Sequence, residues 1–409
     1  MNERILVLDG AMGTTVFALG IDESSMRGDR LLNHHKDLKN FVDILCLTRP
    51  EMVTEIHRQY LAAGADIIET NMFGSSPIGM EEFALPAGMM REINLAAAAC
   101  ARRAADEFMA REPGRPRFVA GSIGPTAKTA SMSPRVEDPG YRAVTFDQHV
   151  ESYYAQVAAL VEGGVDILFP ETTFDTLNLK ACLFAIARYF EEQGLELPVM
   201  ASVTITDQAG RTLSGQTIEA FWNSIAHFPL LSVGINCALG PAQMRPHVEE
   251  LSKIAPVYVS CHPNAGLPNE FGGFDLTPRE MAATLREFAA NGWLNVVGGC
   301  CGTTPRYIEA IAGAVQGLAP RRLPQIERFT RLSGQEALTF RPDVNFIMVG
   351  ERTNVTGSRR FARLIREEQF DEALAVAREQ VEAGASVLDV NMDDALLDGE
   401  SMMARFLNL

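Results

Sequence analysis

The feature that most constrains this chain is an alternation that runs through its first 315 residues. Eight short apolar runs lie at 5–10, 67–71, 118–125, 167–172, 199–204, 232–237, 257–262 and 296–301, each ending in polar or glycine residues. Segments with helix-like spacing separate and follow them, at 51–63, 89–109, 146–162, 177–193, 218–227, 241–254, 278–291 and 305–314. Strands that alternate with helices imply a parallel sheet, because a parallel crossover is long and is usually a helix. Eight such units in roughly 250–300 residues fit a closed (β/α)8 TIM barrel of the α/β class. An open doubly wound sheet is the structural alternative. A weak internal repeat supports the alternation: Ala63-Gly64-Ala65-Asp66-Ile67-Ile68 resembles Gly163-Gly164-Val165-Asp166-Ile167-Leu168 and Ala383-Gly384-Ala385-Ser386-Val387-Leu388. Each copy reads as a helix stopped by glycine, then a turn into a buried strand.

In a barrel of this kind chemistry gathers at the strand C-termini. That end of the apolar runs carries Asp9, Glu69, Asn71, Ser122, Glu171, Asn236, Cys237, Cys261, His262, Cys300 and Cys301. The most telling run is Val296-Val297-Gly298-Gly299-Cys300-Cys301-Gly302. Adjacent cysteines in a regular strand point to opposite faces. Glycines permit an irregular backbone there, so that both sulfurs can turn to one point. Cys237 closes an apolar run in the same way. Three thiolates at strand ends suit a zinc ion with an open fourth position, the arrangement of a catalytic site. Cys261 and His262 also sit at a strand end and stand as rival ligands on spacing alone. Cys46, Cys100 and Cys182 lie in or beside helical segments and read as small buried hydrophobes.

Leu8-Asp9-Gly10-Ala11-Met12-Gly13-Thr14 is a strand, a glycine-rich loop and a helix start. Asp9 and backbone N–H groups about Gly10 suit the ammonium and carboxylate of a small zwitterion. A plain turn with an acidic cap explains the same residues. The spacing is not that of a phosphate-binding loop. Glu171 places a carboxylate at the fourth strand end, suited to an ammonium group or to the following helix N-terminus.

With 409 residues the chain has room for two domains, or for one large domain and a fragment. The pattern lapses after Gly317, which predicts a barrel over 1–316, a linker over 317–345 and a second unit over 346–409. That unit shows a strand at 346–350, a helix at 371–383 and a strand at 387–391, and the chain stops inside the next helix-like stretch. A net charge of −16, from 36 basic and 52 acidic residues, disfavours nucleic acid as a partner. No apolar run approaches the ~18 residues of a membrane span, and no secretory leader opens the chain. Seven cysteines without a dense pattern suggest free thiols or metal ligands in a reducing, cytoplasmic setting.

Taken together, Leu8-Asp9-Gly10-Ala11-Met12-Gly13-Thr14, Glu69-Thr70-Asn71, Gly121-Ser122-Ile123-Gly124-Pro125, Asp175-Thr176-Leu177-Asn178, Gly234-Ile235-Asn236-Cys237, Pro263-Asn264-Ala265-Gly266 and Gly298-Gly299-Cys300-Cys301-Gly302 resemble the homocysteine S-methyltransferase family over residues 3–315. The resemblance implies a zinc-bearing (β/α)8 barrel with Cys237, Cys300 and Cys301 as ligands. It also implies Asp9 and Glu171 at the amino acid head of homocysteine, within a pocket that includes Gly10, Asn71, Ser122 and Asn236. Gly350-Glu351-Arg352-Thr353-Asn354-Val355-Thr356-Gly357-Ser358, with Asp389-Val390-Asn391, resembles the start of a pterin-binding barrel, here truncated to its first βα units. Glu351, Asn354, Asp389 and Asn391 are then its candidate pterin contacts. This domain order is similar to the N-terminal half of cobalamin-dependent methionine synthases. It implies methylcobalamin as methyl donor, presented by a missing C-terminal domain and recharged from 5-methyltetrahydrofolate. A betaine- or S-methylmethionine-dependent relative, and a non-catalytic zinc or thiol-redox barrel, are the competing readings.

Overall fold

A computed structural model describes residues 1–409 apart from Gln208, Phe271 and the side chain of Ala87. It divides into two units, one of residues 1–128 and 144–339, the other of 129–143 and 340–409.

The first unit is built on eight strands: β1 (Leu6–Val7), β2 (Ile67–Glu69), β3 (Phe118–Ile123), β4 (Ile167–Pro170), β5 (Met200–Val203), β6 (Ser232–Asn236), β7 (Tyr258–His262) and β8 (Val296–Val297). All pair in parallel, β2 to β3 to β4 and β5 to β6 to β7 to β8 to β1. Parallel bridges Leu8–Ile67 and Leu168–Val199 join the two arcs, so the ring closes. The open doubly wound alternative is thereby excluded. Helices α1 (Pro50–Ala62), α2 (Ala87–Arg111), α3 (Phe146–Glu162), α4 (Thr176–Gln193), α5 (Ile218–Ile225), α6 (Pro241–Ile254), α7 (Pro278–Ala290) and α8 (Pro305–Val315) follow in turn.

Strand alternation sorts the side chains into two layers. Leu6, Leu8, Ile67, Ala120, Ile167, Phe169, Met200 and Val296 pack inside the ring. Val7, Ile68, Val119, Leu168, Ala201, Val233, Val259 and Val297 pack outward against the helices. Because both faces are buried, each strand reads as a continuous apolar run rather than an alternating one. Capping fixes where helices begin. Thr145 with Gln148 and Thr277 with Glu280 form reciprocal capping boxes, and Asp175 accepts from the N–H groups of Leu177 and Asn178.

The stretch 317–345 carries structure of its own. Arg321 is buried and its guanidinium donates to the carbonyls of Ser252, Ala255 and Val257. Strands β9 (Arg331–Ser333) and β10 (Ala337–Thr339) form an antiparallel hairpin, and Ser333 Oγ donates to Ala220 O at 2.5 Å.

The second unit pairs β11 (Val349–Asn354) with β12 (Val387–Asn391) in parallel, with α9 (Arg359–Arg366), α10 (Phe370–Glu382) and α11 (Gly399–Asn408) around a core of Phe361, Ile365, Phe370, Val376, Met392 and Phe406. The first strand begins later than the sequence predicts at 346–350. Phe346 is 91% exposed and unpaired, whereas Thr353, inside a bulge-interrupted ladder, is fully buried. Of 346–348, Met348 alone is tied to the neighbouring strand among the described residues, its carbonyl accepting Ser386 N–H and Val387 N–H. Among the described residues no helix is long and apolar enough to cross a membrane.

Candidate active site

The C-terminal mouth of the first barrel holds two adjoining clusters, one of sulfur and one of carboxyl groups. The sulfur cluster is Cys237, Cys300 and Cys301, whose Sγ atoms all lie within 4.8 Å of one another. Two loops deliver them. After β6 the backbone turns through left-handed conformations at Cys237 (φ 61°) and Ala238 (φ 57°), unusual for residues with a Cβ. Cys237 N–H donates to His262 O and Leu239 N–H returns to Cys237 O, pinning the turn. After β8 the chain is held between its neighbours. Gly298 N–H donates to Cys261 O, Gly299 N–H to Asp9 O and Cys300 N–H to Pro263 O, while Cys301 O accepts from Ala265 N–H. A Cβ on Gly298 would lie 2.9 Å from Leu8 Cβ, so close approach to β1, rather than positive φ, is what requires glycine there.

All three thiols are partly exposed. Cys237 and Cys301 Sγ are 3.7 Å apart, and Asn236 Nδ2 stands 3.9 Å from Cys300 Sγ. Hydrogen bonds from Cys300 and then Cys301 hold the Cys237 thiol far down, at about 3. The contact with Cys237, first among the causes for each, pushes Cys300 well above the usual thiol range and Cys301 up to about 12. The cluster thus favours negative charge on Cys237 over its two neighbours. Two sulfurs on a tetrahedral zinc with ~2.3 Å bonds stand roughly 3.8 Å apart, so the observed spacing fits that ion. An approaching cation would also remove the repulsion that keeps the second and third protons on.

The rival ligands go elsewhere. Cys261 faces outward, fully buried, with its Sγ 3.9 Å from Met244 Sδ on α6, and burial pushes its thiol up. His262 faces the barrel interior edge-on to Phe169, both ring nitrogens lack a partner, and burial lowers it to about 3. Neither joins the three-sulfur group.

The carboxyl cluster is Asp9, Glu171 and Glu69, an acid noted above at a strand end but outside the pocket that the resemblance implies. Glu69 ends β2 as Glu171 follows β4, which is the sequence signal that could have added it. Asp9 Oδ2 accepts Glu69 N–H at 3.1 Å, while Asp9 Oδ1 is buried without a partner. Ser122 Oγ donates to Glu171 Oε1, and Ser122 N–H bonds Thr70 Oγ1 at 3.0 Å. Burial, then the Glu171 charge, raises Glu69 well above the usual carboxylate range, and burial does the same for Asp9. Glu171 is pushed up to about 7, first by burial, with Ser122 opposing and the Cys237 charge adding.

Of the remaining candidates, Asn236 Oδ1 accepts from Thr172 N–H (3.0 Å) and Ser202 Oγ (2.7 Å), and its Nδ2 donates to Thr172 Oγ1 (2.8 Å). It fixes Thr172, itself at φ 56°, beside the sulfurs. Gly10 is hemmed in, since a Cβ there would meet Thr303 Oγ1 at 2.8 Å. Asn71 is turned aside: its side-chain Nδ2 donates to Val42 O at 2.9 Å, while its backbone carbonyl accepts from Cys46 Sγ at 3.3 Å. Asn264, unmarked as a candidate although it lies in the Pro-Asn-Ala-Gly motif, is buried, hydrogen-bonds Cys237 and leaves Oδ1 unpartnered.

In the second unit Asn354 Nδ2 donates to Asp389 Oδ2 at 2.9 Å, and Asn354 Oδ1 accepts from Thr356 and Gly357 N–H. Asn391 pairs with Asn354 in the ladder and its Oδ1 accepts from Asp393 N–H. Glu351 is exposed on the bulge.

Fold and site together define a (β/α)8 enzyme whose mouth pairs a three-thiol cluster with an acidic pocket. Residues 6–315 match the homocysteine S-methyltransferase family, and the chain belongs to it. Residues 350–409 match the pterin-binding enzymes. The homocysteine methyltransferase MmuM from Escherichia coli is similar in fold. Its metallated form shows 23% identity and a TM-score of 0.60 over 76% of this chain and 96% of that one. Its apo form gives 22% and 0.57 over 76% and 96%.

Proposed function

We propose that this methyltransferase makes methionine from homocysteine, with zinc held by Cys237, Cys300 and Cys301 and with methylcobalamin, recharged from 5-methyltetrahydrofolate, as donor. The observation that carries the reading is the juxtaposition of three partly exposed sulfurs with the buried carboxyls of Asp9 and Glu171, which have no cationic partner among the described residues. A bound zinc supplies Lewis acidity that favours the thiolate form of the substrate at neutral pH.

The chain's own residues do the rest. Asp9 Oδ1 and Glu171 accept N–H from the substrate ammonium, which places the thiol at the cysteines. Ser122 fixes Glu171 Oε1, and Oε2, which takes only a long 3.4 Å bond from Thr172 Oγ1, is the oxygen offered to the ligand. Asn236 locks Thr172 and keeps the loop beside Cys300 from collapsing onto the sulfurs. The tight turn at Gly10 brings backbone N–H groups toward the substrate carboxylate. Orientation of this kind turns a bimolecular displacement into an effectively unimolecular one.

The donor assignment rests on the pterin-type residues after 350, where Asn354 and Asp389 already meet. Glu351, Asn354, Asp389 and Asn391 are the proposed pterin contacts. Methionine formation, measured with each donor separately and with and without chelator, tests both parts. Zinc-dependent turnover with added methylcobalamin is expected. Turnover with betaine or S-methylmethionine instead would refute the donor, and chelator-resistant turnover would refute the metal.

A further inference from the structure

We infer that Glu69 is a substrate-binding residue that completes a three-carboxyl seat for a primary ammonium and so makes the pocket selective for amino thiols over thiols lacking the amine. The inference rests on the homocysteine reading above and deepens it.

Three strands contribute one carboxyl each. Asp9 follows β1, Glu69 ends β2 and Glu171 follows β4. The backbone N–H of Glu69 donates to Asp9 Oδ2, which fixes the two residues side by side. The Glu69 and Glu171 side chains lie within hydrogen-bonding reach of each other. Glu171 is held from its far side by Ser122, whose N–H is tied to Thr70, the neighbour of Glu69. The three acids are thus braced against one another across four strands, with Ser122 of β3 as the link to Glu171.

No lysine, arginine or histidine pairs with any of them among the described residues. Asp9 and Glu171 are buried and Glu69 is half-buried, and carboxyls so withdrawn from water without such a partner are costly unless a ligand satisfies them. One acceptor, Asp9 Oδ1, belongs to a residue only 3% exposed and has no donor among the described residues. A primary ammonium has three N–H donors. Three carboxyls converging from three strands match that number, whereas Asp9 and Glu171 alone leave one N–H unmet.

The test is a titration of the zinc-loaded full chain with homocysteine and with 4-mercaptobutanoate, which lacks only the amine. The readout is the ratio of the two dissociation constants. Wild type is expected to favour homocysteine strongly. Glu69→Leu is expected to reduce that ratio roughly ten- to hundredfold, the scale of a hydrogen bond to a charged group, through weaker homocysteine binding. Glu69→Gln, which keeps one acceptor oxygen and the side-chain volume, is expected to retain part of it and serves if the leucine variant does not fold. Zinc content should stay at the wild-type level in both. An unchanged ratio in the variants, with wild type still discriminating, overturns the role of Glu69 and leaves the homocysteine reading standing. Zinc-loaded wild type that binds neither thiol overturns both.

Discussion

Glu171 offers the sharpest test of the electrostatics of this pocket. Its carboxyl is held at about 7 in place of an ordinary 4.5, chiefly by burial. The folded protein therefore binds the Glu171 proton more tightly than the unfolded chain does. With the folded value raised, stability is greatest at low pH and falls as pH climbs from about 4.5 through about 7. The full difference corresponds to about 3 kcal/mol, of which roughly 1 kcal/mol has been lost at pH 5 and nearly all by pH 8. Glu171→Gln keeps the shape and the acceptor for Ser122 Oγ but cannot ionise. In metal-free, substrate-free protein the variant should gain about 2.5 kcal/mol on wild type between pH 5 and pH 8, a relative rise of about 4 °C in Tm for a barrel of this size. Thermal or urea unfolding of both proteins across that range measures it. Parallel stability curves would refute the reasoning, because they would mean that the buried carboxyl ionises as if it were in water. The same variant should bind homocysteine more weakly, so that stability and function move in opposite directions.

Other outcomes follow from the same geometry. Cys300→Ala should abolish tight zinc binding, whereas Cys46→Ala and Cys261→Ala should keep about one zinc per chain by metal analysis, since neither sulfur faces the cluster. Gly234→Ala should destabilise the barrel by at least 1–3 kcal/mol in urea unfolding, because the new Cβ would lie 1.9 Å from Ser260 Oγ and 2.6 Å from Ser260 O. Amide exchange should be faster in β12, where every residue is only partly buried, than in β3 to β7, and equal protection would contradict the burial argument.

The sequence alone determined much of the barrel. Strands buried on both faces must read as short apolar runs, and right-handed crossovers must read as helices, so eight repeats of the pattern leave few folds open. Position at a strand end was legible for the same reason, and with it the neighbourhood of Asp9, Glu171, Cys237, Cys300 and Cys301. Which side a strand-end residue faces was not legible. Cys261 and His262 are neighbours in sequence, yet pleating sends one to α6 and the other to the barrel interior, and register about a closed ring decides which. The positive φ at Cys237 and Ala238, which swings that sulfur to Cys301, sits on residues whose identity gives no hint of it. Asn71 kept its place in the chain but turned to Val42, because a loop 29 residues away offered a carbonyl. Glu69 joined Asp9 and Glu171 only through the pairing of β1, β2, β3 and β4. A linear pattern encodes periodicity, and convergence of residues 60 to 160 positions apart belongs to the closed sheet.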